Sequence, residues 1–342
     1  MKTHWRAALS ILLALVGLMS WELWESATRP RPTLEPFLVK NTRWATDRCR
    51  RLFQEFCEKK PDFGIATFTD PTGEVWLDSE SEAAIKDANQ ADNRWIGFVF
   101  STPRLKRVTE VERWVKSELT LWIQSQPDGV LKSRDKQELI WRIRATRVDF
   151  PHPVRGYPDD PELILHSQAQ YERVGNSPRS ARRLRFGGAY ILGTSSRYNL
   201  VFTIAHELAH AIDPCELRST GWAIPAFDRL AACFTSAGLS ATPQNRVECR
   251  RNDQLSETFA DWVAVQMASR ALSHWGSEYP EPQRWASVGN SVRDLCEEED
   301  GPAAQETHPN AQTRIEKILG TNPGIREFLG CPASKTPACS LE

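Results

Sequence analysis

Within the stretch NLVFTIAHELAHAIDPCE, residues 199–216, two histidines stand four apart with a glutamate beside the first: His206, Glu207 and His210. On a helix, positions i and i+4 lie one above the other, so the two imidazoles face the same way and can share one metal ion. Glu207 then lies roughly 100° round the helix, beside a water on that ion without being a ligand itself. Zinc lowers the pKa of such a water towards 7, and a neighbouring carboxylate can take its proton. The chemistry expected is hydrolysis of a peptide carbonyl. Val201, Ile204, Ala205 and Leu208 give the helix the apolar back it needs.

A catalytic zinc wants a third protein ligand and one open position. One known solution puts a glycine at 213 and a histidine at 216, but Asp213 and Glu216 occupy those places. The other solution is a glutamate on a later helix. QLSETFADWVAVQ, residues 254–266, offers Glu257 and Asp261, again four apart. Glu257 can complete the ligand set, while Asp261 can accept a hydrogen bond from the far nitrogen of a ligand histidine and fix its tautomer. Phe259, Ala260, Trp262 and Val263 make this helix largely apolar, and carboxylates buried there need a cation or hydrogen-bond donors.

These residues resemble the neprilysin-like zinc peptidases of the gluzincin group. Their pattern of H-E-x-x-H, then E-x-x-x-D, then a histidine six residues ahead of an arginine stands here as HELAH, ETFAD and HPNAQTR, the last giving His308 and Arg314. A cysteine 23 residues after that histidine (Cys331) and two N-terminal cysteines eight apart (Cys49 and Cys57) also match. The resemblance covers the N-terminal cysteine helix and residues 184–339. It implies a thermolysin-like catalytic domain holding one zinc ion through His206, His210 and Glu257, with Glu207 as base. Asp261 would orient His206, His308 would donate to the oxyanion, and Arg314 would hold the substrate carbonyl or the site. It further implies disulfides Cys49–Cys331, Cys57–Cys296 and Cys233–Cys339, leaving Cys215 with Cys249. The family's substrate-binding strand has only a weak counterpart at Asn176, with RFGGAYIL (185–192) as the adjoining edge strand. Family members are considerably longer and carry a second helical domain, which this chain is expected to lack as a compact form.

The elements that must position these residues read as α+β, predominantly helical after residue 199. Apolar spacing predicts helices over 44–59, 79–91, 106–126, 134–148, 199–212, 222–237, 254–272, 283–295 and 311–319, with Pro214 stopping the motif helix. A hairpin is expected over 64–77 and strands near 162–166 and 184–192. Residues 1–27 read as a signal peptide or signal anchor: Lys2 and Arg6 precede an apolar run from Ala7 to Trp21. A Pro-rich linker follows over 28–43, and 44–342 forms one metallopeptidase domain. The chain is therefore expected to be exported, whether secreted, periplasmic or tethered to a membrane through its N-terminal segment. Eight cysteines, an even number with no C-x-x-C pair, fit disulfides in an oxidising compartment. With 43 basic against 44 acidic residues the chain has no charge excess for nucleic acid. The partner expected is a peptide or protein substrate. An exported zinc endopeptidase is the leading reading; a zinc-holding, disulfide-tied interaction protein without turnover is the alternative.

Overall fold

The computed structural model describes residues 102–150, most of 157–239, 254–297 and 308–342, together with Leu52, Phe53 and Cys57. The chain divides after Pro36, and all of these residues belong to the unit Phe37–Glu342. The signal segment, the hairpin at 64–77, the helix at 79–91, most of the helix at 44–59, Cys49, Cys249 and Asn176 lie outside the described residues. Among those described, no helix is long and apolar enough to cross a membrane.

The architecture is mixed α+β, mostly helical, with one small sheet. Helices α1 (Thr102–Ser125) and α2 (Ser133–Ala145) precede strand β1 (Thr146–Val148). Strands β2 (Ala169–Val174) and β3 (Ala181–Phe186) follow, then α3 (Gly188–Gly193) and α4 (Arg197–Ala209). The rest is helical: α5 (Pro214–Ser219), α6 (Pro225–Ser236), α7 (Gln254–Gly276), α8 (Glu281–Ser291), α9 (Arg293–Glu297), α10 (Ala311–Arg314), a π-helical turn (Ile315–Leu319) and α11 (Pro323–Leu329).

Helix α4 carries the H-E-x-x-H residues and runs through the core. Every residue from Tyr198 to Ala209 is buried, as expected of a helix apolar on nearly all sides. It packs against α1, α7, α8 and β2. Its N-terminus is capped by the Ser196 side chain, which accepts from the Tyr198 N–H at 3.2 Å. The long helix α7 lies alongside it. Both helices carry small buried residues, Ala205 and Ala209 on α4 and Ala260, Ala264 and Ala268 on α7.

Several boundaries differ from the sequence expectation. The motif helix ends at Ala209 in a turn, and Pro214 does not stop it but opens α5 at the first helical position. There its missing N–H costs nothing. The expected strand 184–192 is instead the strand β3 to Phe186 followed by α3; GAYIL is too short for periodicity to separate strand from helix. Three residues assigned to the end of α2 form β1, and Leu163 sits in a 3₁₀ turn, not a strand.

The strand order is β1-β3-β2, with β3 parallel to β1 and antiparallel to β2. RFGGAYIL therefore begins on the central strand of the described sheet, and β2 is one of its two edges. Tyr171 pairs with Leu184, and the Gly187 N–H bonds Gln168 O at 2.8 Å. That register makes 168, 170, 172 and 174 the hydrogen-bonded positions. Residues 169, 171 and 173 consequently turn their backbone groups away from β3.

Two disulfides tie the helices to the chain's last residues. Cys57 is joined to Cys331 and Cys233 to Cys339, with Cα–Cα separations of 5.6 and 5.8 Å. Cys215 and Cys296 are disulfide-bonded as well. The first bond corrects two implied pairs: with Cys57 and Cys331 joined, neither Cys49–Cys331 nor Cys57–Cys296 can form. Gly330 explains the geometry. Its left-handed φ of 65° ends α11, and the following Cys331 N–H bonds back to Arg326 O at 2.8 Å, turning that sulfur towards Cys57.

Candidate metal centre

Helix α4, with His210 at its C-cap, and helix α7 bring three ligating groups to one place. Glu257 Oε2 lies 3.2 Å from His206 Nε2 and 3.4 Å from His210 Nε2. Ligand atoms from the three residues all lie within 4.8 Å of one another. Two donors on one tetrahedral zinc, each bonded at 2.0–2.2 Å, stand about 3.3 Å apart. The residues present therefore fit the ion in both spacing and donor type. His308, from the loop before α10, places Nε2 2.9 Å from the same Glu257 oxygen, its ring nearly parallel to that of His206 at 6.2 Å.

His206 is held from behind. His206 Nδ1 lies 3.0 Å from Asp261 Oδ1, so the carboxylate keeps the proton on Nδ1 and leaves Nε2 for the centre. Asp261 is only 2% exposed and is gripped by a fork from Arg314, Nε to Oδ2 at 2.6 Å and an Nη to Oδ1 at 2.8 Å. Arg314 thus reaches the centre through Asp261. Arg314 stands where α10 passes into the π-helical turn, which reorients the chain immediately after it.

Glu207 is buried beside the ligands, and burial pushes its carboxyl pKa up against the lowering charge of His206 and His210. The Tyr171 backbone N–H donates to it, which is where the outward-facing edge of β2 finds its partner. The Tyr171 ring also packs 6.2 Å from that of His210. No sequence signal marks Tyr171, because it contributes through a backbone group every residue but proline has. Asp213 and Ser256 are further residues at the centre to which the sequence assigned no role; Ser256 could have been noticed only as the neighbour of Glu257.

The electrostatics describe a centre short of positive charge. Burial disfavours a charged His206, yet hydrogen bonds to Asp261 and Glu257 outweigh it and carry the pKa to about 9. His210 is likewise raised, burial being overcome by Asp213 and Glu257. Burial would lift Glu257, but bonds from His206, His210 and His308 hold it far below the carboxylate range. Asp261 is also held low, the Arg314 charge and the His206 bond overriding burial. A divalent cation would supply that charge while leaving both imidazoles neutral.

Comparison with protein families, with curated proteins and with solved structures finds no match to this chain.

Proposed function

We propose that the chain is an exported zinc-dependent peptidase of gluzincin type that cleaves within peptide chains. The observation that carries this reading is the half-buried His206–Glu257–His210 group, with Glu207 beside it and Asp261–Arg314 behind it. Zinc bound there would act as a Lewis acid on the scissile carbonyl and would acidify the attacking water. Glu207 takes the proton from that water and returns it to the leaving amine. His308, the most exposed of the three imidazoles at 29%, donates to the developing oxyanion. An extended substrate would lie along the edge of β2, where residues 169 and 173 turn backbone groups outward on either side of Tyr171. Export is supported by the N-terminal apolar segment and by the disulfides.

The test is cleavage of internally quenched peptides and an unfolded protein by the zinc-loaded, oxidised chain, beside Glu207→Gln at matched zinc content. The variant should lose about 10²–10⁴-fold in rate, the usual contribution of a general base, with its zinc retained. A wild type that holds zinc and cuts nothing would sink the peptidase and favour the interaction protein.

A further inference from the structure

The two ligand histidines are held by different means. His206 meets its carboxylate directly. His210 Nδ1 lies 3.6 Å from Asp213 Oδ2, too far for a hydrogen bond. Between them stands Ser256, its Oγ 3.2 Å from His210 Nδ1 and 2.8 Å from Asp213 Oδ2. A carboxylate can only accept, and a serine hydroxyl has one proton to give. Ser256 therefore donates to Asp213 and accepts from His210 Nδ1–H. That assignment leaves the Nε2 lone pair of His210 on the Glu257 side, where it could bind an ion.

Asp213 is itself anchored. Its other oxygen, Oδ1, caps α5 by accepting from the N–H groups of Cys215 at 2.6 Å and Glu216 at 2.8 Å. Ser256 sits in the first turn of α7, one residue before Glu257. One carboxylate thus serves two ends: Oδ1 fixes where α5 starts, and Oδ2 fixes a hydroxyl on a different helix. Between them they lock the rotation of a ligand histidine at the last turn of α4.

We propose that Ser256 and Asp213 are positioning residues of the metal centre, a hydroxyl relay that sets the tautomer and ring plane of His210. The proposal rests on the reading of His206, His210 and Glu257 as a zinc site, and goes beyond it in assigning two residues on which the affinity of that site depends. Loss of such outer partners typically weakens metal binding 10–100-fold.

The test uses the full chain with its disulfides intact and measures zinc affinity by competition with a chromophoric chelator, alongside thermal unfolding of the metal-free protein. Ser256→Ala should raise the zinc Kd about 10–100-fold, and Ser256→Thr, which keeps the hydroxyl, should restore the wild-type value. Asp213→Asn keeps an acceptor oxygen for the α5 cap but turns an amide N–H₂ towards Ser256. It should weaken zinc binding while leaving metal-free unfolding in place, a separation that a purely structural role would not give. One zinc per wild-type chain, bound as tightly by Ser256→Ala and Asp213→Asn, would overturn the relay alone. A wild type that binds no zinc would overturn the site and the relay together.

Discussion

Strand β2 borders two dense charge networks, one on each face, because neighbouring residues of a strand point opposite ways. Tyr171 looks towards the metal centre. Glu172 meets Arg183 on the other side at 2.7 Å, joining a lattice in which Arg185 bonds Asp149 at 2.9 Å and Asp159 at 2.5 Å. That lattice brings its own cations, two arginines for three carboxylates, and the acids are 37–52% exposed at the side chain, so water covers the remaining charge. The candidate metal centre gathers Glu207, Asp213, Glu257 and Asp261, all better shielded, with the Arg314 guanidinium bonded to Asp261. The first network is complete as folded. The second stands short of positive charge, and its histidines draw protons to make up the difference.

The sharpest way to break this contrast is to remove one arginine from each side. Arg314→Met leaves Asp261 buried without its fork and should cost about 3–5 kcal/mol in chemical denaturation. Equal losses on the two sides would mean that the centre is not the more dependent network. Next in size is the ion itself. Zinc at a thousandfold over its Kd should stabilise the chain by about 4 kcal/mol, and a chelator should remove that gain. The lattice of Arg183 and Arg185 should contribute nothing to this difference, so a double variant there must show the same zinc-dependent shift.

The pH dependence of the metal-free chain sharpens the comparison further. His206 sits at about 9 in the fold against 6.5 ordinarily, so its contribution is full below about pH 6.5 and is lost as pH rises through about 9. Asp261 is held low, so its contribution is present above about pH 4 and is lost in acid. Thermal midpoints in chelator should therefore fall between pH 6.5 and 9 and again below about pH 4, while zinc affinity climbs over the upper window. A flat profile from pH 6 to 9 would contradict the charge deficit. The smallest effect belongs to the exposed side: Arg183→Met should cost at most about 1 kcal/mol, weaker still in high salt.

What the sequence made legible was local. His206 and His210 on one face, Glu257 and Asp261 on another helix, and the apolar surroundings of both follow from helical periodicity alone. The chain's folding decides what periodicity does not encode. Cys57 takes Cys331, which follows the left-handed Gly330 at the end of α11, a pairing no count of cysteines contains. AQYERV becomes an edge strand because β1 occupies the other side of β3, a choice made among distant segments. Pro214 opened a helix where it was expected to close one, since Asp213 before it supplied the cap. Ser256 and Tyr171 stayed hidden for the same reason: their partners lie 43 and 36 residues away, between elements that only the fold brings together.

The disulfides also impose an order in time. Cys57 and Cys331 are 274 residues apart, and Cys233 and Cys339 are 106 apart; both bonds end within residues 331–342. A chain made from its N-terminus at ~5–20 residues per second would present Cys57 roughly 15–55 s before its partner exists. During that interval Cys57 can meet Cys49 and then each cysteine made before Cys331, so correct closure calls for a reshuffling catalyst or for export after synthesis. A message cut short before codon 331 would yield a chain with the whole H-E-x-x-H apparatus and neither of these two bonds.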